Sequence, residues 1–215
     1  MKMLILCLVL FSGSSFCQNT IQLGTQTWMT KNLDVTQFKN GDPIPQAQTD
    51  DEWQEAGFNG KAAWCYVTIT NEEGVNQELK RYGKLYNSFA INDPRGIAPE
   101  GWRISTTDDW GELEQYVSVS NLQQTDLISV NDWDTLGGTN KTDLNIEPAG
   151  WRDVGCGGVG SSVTYWCEAI IDPSSDETST NTLSVIQYED GSIGFRYGET
   201  SWIMGHYVRC VKLDR

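Results

Sequence analysis

Trp110, Leu113 and Val117 recur at helical spacing among polar and acidic residues, which predicts one helix with a single apolar stripe to bury. Thr106 stands three residues before Asp109, where a hydroxyl and a carboxylate can satisfy the first free amides of that helix. Trp102-Arg103-Ile104 reads as a short extended piece feeding it. Upstream, Tyr82 to Ile91 is rich in aromatic and aliphatic residues and is expected to be buried. Asn92-Asp93-Pro94-Arg95-Gly96 and Pro99-Glu100-Gly101 are turn formers, because Pro presets φ and Asn, Asp and Gly accept reversal geometries.

Elsewhere the pattern is that of strands and turns. Ile21 to Leu23 and Thr25 to Met29, joined at Gly24, predict a hairpin, with Asn32 to Phe38 a candidate continuation. Asn40-Gly41-Asp42-Pro43 predicts a turn, and Asp50 to Ala56 a short helix capped by Asp50 with Trp53 on its buried side. Ala63 to Val67 reads as a strand and Asn71 to Lys80 as an exposed polar loop. Ser118 to Pro148 has few periodic apolar residues and reads as a long loop-rich excursion. The glycine-rich run Gly155 to Gly160 reads as a loop feeding a core strand at Val163 to Cys167. Leu183 to Tyr188 and Ile193 to Tyr197 flank Asp190-Gly191 as a hairpin, and Tyr207 to Val211 is the last predicted strand.

The start of the chain changes the picture. Lys2, the apolar run Met3 to Phe11 and the small residues before Gln18 make the three-part pattern of a secretory signal peptide over residues 1–17. The run is too short for a stable membrane anchor. The bulky Phe16 argues against lipidation of Cys17, so soluble export to the periplasm, the cell surface or the medium is favoured over a lipoprotein. Residues 18–215 then form a single domain by length. Four cysteines lie there, Cys65, Cys156, Cys167 and Cys210, and an oxidising compartment favours pairing. Of the three connectivities they allow, Cys65 with Cys210 and Cys156 with Cys167 is the preferred one. Zinc is the rival, but there is no CxxC and the only histidine is His206. A formal charge of −14 repels nucleic acid and anionic membranes at long range.

Several segments together carry a resemblance: Gln26-Thr27-Trp28-Met29 with Lys31-Asn32-Leu33, Asn40-Gly41-Asp42-Pro43-Ile44-Pro45, Ala63-Trp64-Cys65-Tyr66, Tyr82-Gly83-Lys84-Leu85-Tyr86-Asn87, Pro99-Glu100-Gly101-Trp102 and Val208-Arg209-Cys210-Val211. In this combination the chain resembles the Fibrobacter succinogenes major paralogous domain family over nearly all of residues 18–215. The resemblance implies an α+β, C-type lectin-like fold of short twisted antiparallel sheets, one or two main helices and long loops, related to the formylglycine-generating enzyme fold. It implies no defined biochemical role.

Candidate chemistry is sparse. Glu147-Pro148-Ala149 and Asn131-Asp132 are similar to fragments of C-type lectin calcium and sugar motifs, but one polar ligand is missing and the chain order is reversed, so ordinary turns are the preferred reading. Calcium bound elsewhere by oxygen-rich loops stays open as a cofactor; no other is expected. Cys156 and Cys167 as a redox or copper pair is weighed against a plain disulfide, which export favours. No catalytic residue is assigned. Trp133, Trp151, Trp166 and Trp202, with Asp153, are the candidate ligand-binding residues, since a tryptophan in a loop-rich half can stack on a sugar or peptide. The expected function is a non-enzymatic binding or adhesion module that holds a glycan or protein through the loops from Ser118 to Ser162 and those after Ile171. The alternative is a cysteine-dependent oxidase or a hydrolase on the same fold.

Overall fold

In the computed structural model, described over residues 19–167 and 180–213, the indole of Trp28 meets that of Trp110 at 4.6 Å, and Trp110 stacks on Tyr165 at 5.2 Å. These rings come from a strand, a helix and a second strand, and they mark where the layers join. The signal-peptide reading of residues 1–17 and the first part of the loop after Ile171 lie outside the described residues.

β1 (Thr20–Leu23) and β2 (Gln26–Met29) form the predicted hairpin. The segment after it does not extend it. Asn32 instead donates from Nδ2 to the Tyr82 carbonyl at 2.9 Å, and the chain runs irregularly to a turn in which the Gly41 amide meets the Phe38 carbonyl. α1 (Asp50–Phe58) buries Trp53 as expected, but its cap is Thr49, whose hydroxyl accepts the Glu52 amide at 3.1 Å. Asp50 is therefore in the first turn, where its carboxylate is free to pair with Arg152. β3 (Trp64–Cys65) is shorter than the apolar pattern suggests. The polar stretch after it is not a plain loop but an exposed hairpin of β4 (Thr68–Thr70) and β5 (Asn76–Glu78).

The aromatic stretch beginning at Tyr82 supplies β6 (Leu85–Asn87) and one helical turn, α2 (Ser88–Ile91), both largely buried. β7 (Trp102–Ile104) leads into α3 (Thr107–Val119), whose buried face holds Trp110, Leu113 and Val117. The reciprocal box at its start is formed: the Asp109 amide donates to Thr106 Oγ1 at 3.1 Å, and the Thr106 amide to Asp109 Oδ2 at 2.7 Å. Burial works against the Asp109 charge, but Arg103 and both donors of Thr106 hold its carboxyl below the ordinary value.

β8 (Ala149–Arg152), β9 (Cys156–Val159), β10 (Ser162–Trp166), β11 (Thr180–Gln187), β12 (Ile193–Thr200), β13 (Gly205–His206) and β14 (Cys210–Lys212) complete the chain. The large sheet runs β12-β11-β10-β8-β13-β6-β3, with β9 paired to β8, and the small one runs β1-β2-β14-β7. The arrangement is mostly sheet with few helices. Most pairings are antiparallel, as expected, with a parallel step from β10 to β8. The glycine-rich run is thus a strand, β9. Its small residues leave room for the Trp151 indole, which lies against Gly157 and Gly158.

Ser118 to Pro148 is irregular but is not an excursion away from the body of the protein. Leu127, Ile128, Leu144 and Ile146 are fully buried, and Ile128 bridges Ile146 in parallel. Arg209 fastens this region to both sheets. It is 1% exposed, and Nη1 donates to the Met29 and Leu144 carbonyls while Nη2 donates to the Tyr165 hydroxyl, each at 3.1 Å.

Candidate functional site

The five residues singled out from sequence do not converge. Trp133 is 7% exposed and donates its indole N–H to Ser129 Oγ at 3.1 Å; Trp166 is wholly buried, donates to the Tyr86 carbonyl at 2.6 Å and packs against His206. Both have satisfied N–H groups and packed faces, so they serve the core. Trp151 is half-buried over the β9 glycines. Asp153 closes the turn between β8 and β9, its Oδ1 accepting the Gly155 amide at 3.1 Å.

Trp202 stands apart from these. It is half-buried, and Phe58, 71% exposed at the end of α1, and Phe89 of α2 each approach it with ring centroids 5.7 Å away. The two phenylalanines meet it edge-on or tilted rather than face to face. Phe58 and Phe89 were missed in the sequence because their neighbours on α1 and α2 read as core positions. A lone aromatic at a helix end carries no signal of its own.

This trio is held by buried chemistry. Trp53 Nε1 donates to the Ile203 carbonyl at 2.8 Å, and Ser88 Oγ to the Trp202 carbonyl at 3.1 Å, so the segment carrying Trp202 is pinned on both sides. Gly57 lies beneath it, where a Cβ would come within 3.1 Å of the Trp202 ring. Arg152 stacks on Trp53 at 5.1 Å and pairs with Asp50, which fixes Trp53 in turn. Asn59, Gly60 and Lys61 form an exposed polar edge beside Phe58.

A separate groove of about 730 Å³ runs between residues 34–39 and 97–101, with Phe38, Lys39, Glu100 and Leu213 among its walls. It exposes less aromatic surface than the trio. Beside it, Arg95 lies 3.9 Å over the Phe38 ring and pairs with Asp42 and Asp93.

The cysteines form neither anticipated bond. Cys65 is on β3 of the large sheet and Cys210 on β14 of the small one, in different core clusters, which keeps their side chains apart. Cys156 faces Thr68 and Arg152, whereas Cys167 is buried on the side of Asp109. Cys65, Cys156 and Cys167 are all thiols. Burial pushes the Cys65 and Cys167 thiols up to about 12. His206 lies in the core with neither ring nitrogen partnered, and burial drives it down to about 3. Among the described residues no group of three or more His, Cys, Asp or Glu is placed to hold a metal ion, and no helix is long and apolar enough to cross a membrane.

The Fibrobacter succinogenes major domain (Fib_succ_major) model matches residues 21–212, a span that runs from within β1 to the end of β14 and holds α1, α2 and α3. The chain belongs to this family. The segments that carry the resemblance in the sequence lie where the layers meet: Trp28 of β2, Trp64 and Cys65 of β3, Leu85 to Asn87 of β6, and Arg209. Phe58, Phe89 and Trp202 fall inside the matched span. No curated protein and no solved structure matches the chain.

Proposed function

We propose that this member of the family is an exported, non-enzymatic binding module that holds a carbohydrate on the Phe58–Phe89–Trp202 surface. Residues 1–17 direct export and residues 18–215 form one domain of C-type lectin-like build, working at the cell exterior. The observation that carries the reading is a half-buried indole flanked by two phenylalanines and fixed from below by Trp53 and Ser88. A sugar ring presents an axial C–H face that stacks on such a surface, and a pinned platform loses little freedom on binding. The polar edge at Asn59 to Lys61 offers hydrogen bonds to ring hydroxyls. Three rings are a small area for a protein partner, which needs about 800 Å² a side for a stable complex.

The test is titration of the purified protein with soluble oligosaccharides, followed by tryptophan fluorescence and calorimetry, with and without calcium. Binding by the native protein and its loss by about tenfold or more in Trp202→Ala and Phe58→Ala is the expected result. Full affinity in both variants, or no binding across a broad oligosaccharide set, would overturn the reading. Capture of a protein that both variants still bind would move the site elsewhere.

A further inference from the structure

β12 is the outer strand of the large sheet, and its register with β11 runs unbroken from Ile193 opposite Gln187 to Thr200 opposite Thr180. Which backbone groups it turns outward can be read from its neighbours. On β11, Gln187 donates its amide to the Ser161 carbonyl and Asn181 accepts the Cys167 amide, so the odd-numbered residues of β11 bond towards β10. The bonding side alternates along a strand, and the even-numbered residues of β11 therefore bond to Gly194, Arg196, Gly198 and Thr200. The Thr182 hydroxyl, donating to the Gly198 carbonyl at 3.2 Å, agrees. The amides and carbonyls of Ile193, Phe195 and Tyr197 thus point away from the sheet, and among the described residues no strand lies beside them. β12 has no proline and no bulge to blunt this edge.

An open trough runs beside this edge, with α3 as its other wall. Towards the end of β12 it is bounded by Tyr197 with Asp108, Glu112 and Glu114, and at the start of β12 by Ile193 with Val117 and Leu122. Glu112 accepts from Thr25 and Gln26 and Glu114 from Tyr197, all uncharged donors. None of the three carboxylates joins an ion pair among the described residues. We propose that this edge takes up an extended basic segment of a partner protein as an added antiparallel strand, with a Lys or Arg opposite Tyr197 and an apolar residue opposite Ile193. Side chains alternate between the faces of a strand, so both of these turn to the α3 side, as Ile193 and Tyr197 do. An antiparallel segment passes Tyr197 before Ile193, so its basic residue comes first. A second copy of this chain fits worse, because two chains of formal charge −14 would bring their carboxylates together.

The experiment titrates the full chain into a fluorescent peptide, Thr-Ser-Lys-Thr-Val-Ser-Ile-Thr-Ser, whose Lys, Val and Ile would lie opposite Tyr197, Phe195 and Ile193, and reads anisotropy. The peptide should bind, and should bind more weakly as salt is raised. Replacing its Lys by Glu, or methylating the Val nitrogen that would donate to β12, should weaken it by about tenfold or more. On the protein, Asp108→Asn combined with Glu114→Gln should cost a similar factor. Tyr197→Pro removes an outward amide without touching a bond to β11 and should do the same. Melting temperatures expose a variant that fails to fold, and the methylated peptide decides the strand mode on the native chain alone. Equal affinity for the Lys and Glu peptides, full affinity of the methylated one, or no binding of the first peptide would overturn the proposal. A dimer in sedimentation that Tyr197→Pro disperses would give the edge to a second copy and overturn it as well.

Discussion

Replacing Arg209 by Met tests the joint between the two sheets. Methionine can fill much of the space of the arginine stem, but it leaves the Met29 and Leu144 carbonyls and the Tyr165 hydroxyl without the donors that now reach them at 3.1 Å. A buried polar group stripped of its partner costs about 1–3 kcal/mol. Removing the guanidinium also ends the cost of burying a cation whose Nε has no partner, which offsets part of that loss. The expected net destabilisation is about 2–4 kcal/mol. In urea, with a slope of about 2 kcal/mol/M, the midpoint should fall by about 1–2 M. The variant also carries a pH signature. Burial already raises the Glu147 carboxyl, and Arg209 is the first of the cations that oppose the rise. Without Arg209, Glu147 rises further, so above the ordinary carboxylate value the folded state holds a proton that the unfolded chain has released, and the deficit grows as pH rises. A midpoint within about 0.2 M of the native protein would refute the reasoning, since hydrogen bonding and desolvation would then cancel.

His206 sets an acid limit: driven by burial down to about 3, it stays neutral in the folded state while the unfolded chain takes up a proton below about 6.5, so stability falls as pH drops from 7 to 5, by about 2 kcal/mol from this residue. Urea midpoints of the native protein and His206→Leu at the two pH values check it, with the pH dependence weaker in the variant. Thr106→Ala removes the hydroxyl of the α3 box and should cost about 1 kcal/mol, read as a melting-temperature drop of about 2–4 °C. Gly150→Ala places a Cβ 2.3 Å from the Gly157 carbonyl oxygen at a φ of +77°, and should cost about 3 kcal/mol or more by calorimetry; a loss under about 1 kcal/mol would mean that β9 shifts easily.

What could be read from the sequence was local. The β1–β2 hairpin, the Asp190-Gly191 turn and the Thr106–Asp109 box each depend on residues a few positions apart, and each is present. The α1 cap moved from Asp50 to Thr49 because the choice rests on a distant partner: Arg152, 102 positions away, takes the Asp50 carboxylate. The burial of Ser118 to Pro148 was hidden because its apolar residues are aimed inward by turns, with Asn121, Asp132, Asn140, Asp143 and Asn145 at positive φ, rather than by a repeating element. The candidate site was half visible. Trp202 stood out by its residue type, while Phe58 and Phe89 join it only through the packing of α1 and α2 on the segment before β13.

β13 and β14 come after every other described element, yet β13 sits between β6 and β8 and β14 between β2 and β7. A ribosome or an export channel delivers a chain from its amino end, so both sheets stay split until residues 205–212 emerge. The domain cannot close around a partial chain. It would therefore fold in one late step, with premature truncation anywhere before Gly205 leaving two unfinished sheets and exposed edges for quality-control proteases.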